Sequence, residues 1–172
     1  MRIFLFAFAI MLSGCAGYHV GPIKPTPMKS VQRICVQNFK NDTLEPRVEV
    51  LLTNAVIKQI QQDGTYEVTD EAHADVILTG TLNELLRRPA RSFRNNILQT
   101  REYSLYLRGR FTVTNINTGQ VIENRPFTGT TSFFVTGSSP RAADSNQDER
   151  QAIPLAAEDM AVRMVSQISE GW

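Results

Sequence analysis

From Tyr103 to Asn115 the chain alternates. Tyr103, Leu105, Leu107, Phe111 and Val113 fall on one side, and Ser104, Arg108, Arg110, Thr112 and Thr114 on the other. A side-chain period of two marks a strand with one buried and one wet face, and the buried face needs a cover. Asn115-Ile116-Asn117-Thr118-Gly119 then reads as a hairpin turn. The chain returns over Gln120 to Val135, with Val121, Phe127, Phe133 and Val135 on one parity. Pro126 has no amide to give to a ladder, so it implies a sheet edge or a bulge. Val76 to Leu86 is a third such run. Val76, Leu78, Gly80, Leu82 and Leu86 point one way, and Thr79, Thr81 and Asn83 the other.

Two stripes of helical spacing supply the cover. Val48, Leu51, Leu52, Ala55, Val56 and Ile60 form the first, with Pro46 suited to its first turn and Gly64 ending it. Val50 and Ile57 lie off that stripe. Ile153, Ala157, Met160, Ala161, Met164, Val165 and Ile168 form the second, on a helix expected over Pro154 to Ser169. Pro154 suits a first turn, and a helix beginning earlier would be kinked there. Val31 to Phe39 reads as an opening strand, with Ile34 and Val36 on one face and Arg33, Cys35 and Gln37 on the other; Tyr66-Glu67-Val68 is a short one. Arg87 to Gln99 and Gly137 to Gln151 read as polar loops, the second mobile. Runs of strands flanked by helices argue α+β, with both helices on the same sheet face and the opposite face rich in Thr, Ser and Arg.

The first fifteen residues speak to compartment. Arg2 precedes an unbroken apolar run, Ile3 to Met11, and Leu12-Ser13-Gly14-Cys15 follows. A positive start, a short apolar core and a small-residue cut site make a bacterial export signal. The run falls well short of the ~20 residues a bilayer span needs. Cysteine directly after Leu-Ser-Gly is similar to a lipobox, in which the signal is removed before Cys15 and Cys15 carries the lipid. The expected organisation is a signal over 1–14, a lipidated tether over 15–30 and one α+β domain over 31–172. The tether holds Gly17, Gly21, Pro22, Pro25 and Pro27, and its fifteen residues after Cys15 reach at most about 50 Å.

Removing 14 of the 172 residues leaves 158, enough for a real core, and turns 18 basic against 17 acidic residues into 17 against 17. A neutral chain gives no global reason to bind nucleic acid. With Cys15 acylated, Cys35 has no partner, and an oxidising envelope favours its burial as a small hydrophobe. His19 and His73 stand in no metal-ligand spacing, and no phosphate loop or nucleophile elbow is present. Asp70-Glu71 and Asp148-Glu149 read as solvated turn and helix-start residues. No catalytic constellation, cofactor or metal site emerges, which argues against an enzyme.

The charges are uneven, however. Arg87, Arg88, Arg91, Arg94, Arg101, Arg108 and Arg110 occur within 24 residues, with Glu102 the one acid among them. Guanidinium suits bidentate contact with phosphate or carboxylate, so Arg87, Arg88, Arg91, Arg94, Arg108 and Arg110 are candidate anion ligands. A merely solvated face is the alternative.

Four parts together carry a family resemblance: the start Gly14-Cys15-Ala16-Gly17-Tyr18-His19; the strand end Val36-Gln37-Asn38-Phe39-Lys40-Asn41-Asp42-Thr43 with Glu45-Pro46; the Leu51-Leu52-Thr53-Asn54-Ala55 helix; and the hairpin with the final helix. The chain resembles LptE-related lipopolysaccharide-assembly lipoproteins. The resemblance implies a two-layer sandwich of two helices on a mostly antiparallel or mixed four-stranded sheet. It implies an outer-membrane lipoprotein facing the periplasm, with the β-barrel LptD as the partner it plugs and lipopolysaccharide as the ligand. Ala16 agrees with outer-membrane sorting. A phosphorylated ligand would give the arginine run a purpose, although no single arginine matches a family motif. Two rivals remain. One is an activator of a peptidoglycan synthase similar to the LpoB type, whose tethers are usually longer. The other is an envelope enzyme.

Overall fold

A computed structural model describes residues 24–91, 101–135 and 142–170. The strands are β1 (Arg33–Val36), β2 (Lys40–Asn41), β3 (Glu67–Val68), β4 (Val76–Arg91), β5 (Arg101–Asn115) and β6 (Val121–Val135). The helices are α1 (Val48–Asp63) and α2 (Ala142–Glu170). They form two layers. The six-stranded sheet has the order β3-β1-β4-β5-β6, with β2 beside β4 past the end of β1. β1 and β2 run parallel to β4, while β4, β5 and β6 form an antiparallel meander. The α+β sandwich expected from the resemblance is present, with six strands in place of four. The extra ones are two-residue strands, too short to announce themselves by alternation.

The alternation of β5 places the core. Leu105, Leu107, Phe111 and Val113 are fully buried, and Val76, Leu78 and Leu82 of β4 join them. Each such side chain contributes about 1.5–3 kcal/mol by leaving water. Both helices cover this face. The α2 stripe is buried throughout, from Ile153 to Ile168. Gly129 lets the helix approach β6, because a Cβ there would overlap the Ala156 carbonyl and Met160. Asp159 accepts the Thr130 amide of β6 at 2.8 Å, so the helix also covers part of an open strand edge. α1 starts after Arg47 at φ 69° and stops at Gly64, φ 72°, whose amide donates to the Ile60 carbonyl. The hairpin turn closes at Gly119, φ 67°, with Asn115 Oδ1 accepting from Asn117 and Thr118.

Five expectations are corrected. The run from Arg87 is strand as far as Arg91, not loop; 92–99 lies outside the described residues. Residues 142–151 are helix, not a mobile loop, and Pro154 lies inside α2; the expected loop's first residues, 137–141, are outside the described set. Leu86 faces out and Leu85 in, because an extra residue at Asn83 shifts the β4–β5 register by one. Val121 is exposed for the same reason, since the β5–β6 register shifts at Val113/Thr114. Leu51 is half out of the α1 stripe, whose place is taken by Thr53, buried with its hydroxyl accepting the Phe39 amide at 3.1 Å. Upstream, Thr26–Met28 forms a 3-10 turn in the stretch read as tether, and Met28 is buried.

Candidate functional site

The arginine run does not form one patch. Arg87 pairs with Leu105 across the β4–β5 ladder and so shares the helix-covered side. Its Nε donates to Glu149 of α2 in a short contact. Glu149 is 4% exposed, contrary to the solvated helix start expected of it. A carboxylate this deep needs its cation, so Arg87 belongs to the architecture rather than to a ligand surface.

Arg88, Arg108 and Arg110 lie on the opposite, wet face. Arg108 pairs with Glu84 at 3.2 Å. The Arg88 guanidinium lies 5.7 Å from the Tyr106 ring centroid, a cation–π distance. Arg110 donates to Asn124 Oδ1 at 3.0 Å. Arg91 ends β4 opposite Glu102 of β5. Cys15 and Arg94 lie outside the described residues.

A trough of about 440 Å³ opens on this face beside Arg110. β2 places Lys40 opposite Thr81 of β4, and β5 supplies Arg110 and Thr112. Gln37 and Asn38 complete the rim. Its lining carries two cations and no carboxylate, and neither cation has an ion-pair partner among the described residues. Amides, hydroxyls and two fixed positive charges suit a polar anion with many acceptor oxygens. Lys40 escaped the sequence reading because nothing in the linear pattern brings it beside β4. The signal that could have found it is the parallel pairing of β2, which is a tertiary fact.

The other titratable groups are structural. Burial, with Glu71 and Asp70 nearby, pushes the Cys35 thiol up, which makes it less reactive. His73 Nδ1 lies 2.6 Å from Asp70 Oδ1, and that hydrogen bond holds the carboxyl below its usual range. Burial pushes Tyr66 up to about 12, and its hydroxyl donates to the Ile168 carbonyl at 3.0 Å. Among the described residues no group of three or more His, Cys, Asp or Glu could hold a metal ion, and no helix is long and apolar enough to cross a membrane.

The model of the family described as LptE, lipopolysaccharide-assembly, matches residues 31–168. No curated protein matches the sequence. Among solved structures, a Helicobacter pylori protein named as a homologue of a neuraminyllactose-binding hemagglutinin is similar at 11% identity, over 90% of this chain and 90% of its own, with a TM-score of 0.53. The hypothetical protein CT253 of Chlamydia trachomatis is similar at 7% identity, over 81% of this chain and 96% of its own, with a TM-score of 0.52. A Caulobacter crescentus protein assigned to the lipoproteins reaches 14% identity over 77% of this chain and 88% of its own, with a TM-score of 0.50. At these identities the likeness is one of fold.

Proposed function

The chain belongs to the LptE lipopolysaccharide-assembly family, and on that footing we propose that it is a lipid-anchored outer-membrane protein on the periplasmic side. It partners and plugs an LptD-type barrel and helps pass lipopolysaccharide to the outer leaflet. The work is binding, not bond-making. The observation that carries the reading within the molecule is the trough with Lys40 and Arg110 and no acid in its lining. Lipid A phosphates bridged by divalent cations form aggregates, and fixed guanidinium and ammonium groups compete for those phosphates. The threonine-rich wet face supports the plug role, because the lumen of a large barrel is polar and offers donors and acceptors to such a surface. The short tether supports a partner at the membrane rather than at the cell wall.

Two measurements test this. The Lys40→Glu/Arg110→Glu double variant should bind lipopolysaccharide at least about tenfold more weakly, with an unchanged unfolding midpoint. Unchanged binding would remove the trough from the reading. Affinity capture of the full chain from detergent-solubilised outer membranes should bring down the barrel; a peptidoglycan synthase in its place would favour the LpoB-type rival.

A further inference from the structure

The backbone of β4 can be followed bond by bond. The carbonyls of Leu78 and Leu82 turn away from β5, where they accept from the amides of Gln37 (3.0 Å) and Asp42 (2.9 Å). The extra residue at Asn83 then shifts the register with β5. β5 itself runs evenly beside β6 through this stretch, so the shift belongs to β4 alone. From Glu84 onward the even residues face β5. Leu85 and Arg87 turn their N–H and C=O groups to the other side, and among the described residues no strand pairs with them there. The bulge at Asn83 bounds this open stretch at one end. Pro89, which has no N–H, bounds it at the other.

A groove of about 320 Å³ runs beside the open edge, walled by the Asp42–Glu45 segment. That wall is held in shape. Asn41 Oδ1 accepts from the Thr43 amide at 3.0 Å, and Asn41 Nδ2 donates to the Glu45 carbonyl at 2.8 Å and to Glu49 at 2.7 Å. Leu44 nevertheless stands fully exposed upon it. The charges have a sign. Arg87 is matched by Glu149 and Glu84 by Arg108, whereas Asp42 and Glu45 have no ion-pair partner among the described residues. The groove is therefore net negative.

We propose that this edge takes an extended, basic segment of a partner polypeptide, added as a strand beside β4 in line with β2. Leu85 and Arg87 supply the main-chain ladder, which recognises an extended backbone. Asp42 and Glu45 select lysine or arginine on the incoming segment, and Leu44 covers an apolar side chain of it. A wall already fixed by hydrogen bonds loses little freedom on binding. The inference stands apart from the lipopolysaccharide reading, which uses the wet face and not this edge.

Hydrogen exchange followed by mass spectrometry on the detergent-solubilised full chain tests it. The probe is a peptide of about ten residues alternating valine and lysine, with a valine–glutamate counterpart. At millimolar lysine peptide the amides of Leu85 and Arg87, read in fragments spanning 84–88, should exchange about tenfold more slowly, and the glutamate peptide should have little effect. Leu85→Pro removes one edge donor without removing a bond to β5, and should abolish the protection. Should that variant fold poorly, Asp42→Lys/Glu45→Lys decides instead, because neither side chain holds the loop together; it should reverse the preference between the peptides. No slowing in 84–88, equal slowing by both peptides, or protection confined to β6 would overturn the proposal.

Discussion

Single side chains carry two asymmetries that stability measurements can read. Glu149 is buried and Arg87 half exposed, so the two halves of their pair are unequal. Arg87→Ala leaves a carboxylate stranded in the core and should cost about 3 kcal/mol or more, whereas Glu149→Gln leaves a guanidinium that water can reach and should cost about 1 kcal/mol. Urea unfolding of the two variants measures the difference, and equal costs would show that the burial is not felt. Asp75 offers a second case. Its carboxylate accepts the amides of Gln32 and Arg33, each at 2.9 Å, and these bonds hold its pKa below the usual range. A lowered folded value means that Asp75 stabilises above the unfolded carboxyl pKa of about 3.9, and that this is lost as pH falls through the folded value. Asp75→Ala should therefore cost about 2 kcal/mol at pH 7 and progressively less as pH falls below the unfolded carboxyl value and through the lower folded one. Glu123 works in the opposite sense. Burial raises its pKa although Arg125 lowers it, so it weighs against the fold as pH rises through that range and should oppose part of the acid loss.

At the level of elements, the long ones were legible and the short ones were not. The alternation of β5 and the stripe of α2 are enforced by burial on one side over many residues, so Leu105 to Val113 and Ile153 to Ile168 announce their places. β2 and β3 have two residues each and exist because β4 and β1 offer them partners. Periodicity also fails wherever a strand gains a residue. Unbroken parity from Val76 puts Leu86 inside, and the extra residue at Asn83 reverses it. The same shift decides which of the neighbours Arg87 and Arg88 joins Arg108 and Arg110: it turns Arg87 to the helix side and Arg88 to the wet face, which spacing alone does not resolve. Helix and sheet meet most closely at Gly129. Gly129→Ala would push α2 off β6 and should cost about 1–3 kcal/mol, seen as a lower unfolding midpoint. An unchanged midpoint would mean that the layers shift to accommodate a methyl group.

Considered as a whole, the molecule has two unlike ends. The chain enters at one of them, where Lys24 lies over the Tyr66 ring at 4.7 Å and Tyr66 in turn holds the last turns of α2. Replacement of Cys15 by alanine should release the chain from the membrane fraction, and retention there would show that something other than an acyl chain holds it. The opposite end carries the outer parts of β4, β5 and β6, and fifteen residues of β5 make about 50 Å of strand. A leash fastened to the foot of so long a blade governs the direction of its tip. With Cys15 acylated as proposed, the foot would stay close to the lipid, and the tip would sweep an arc whose radius exceeds the thickness of the hydrocarbon layer.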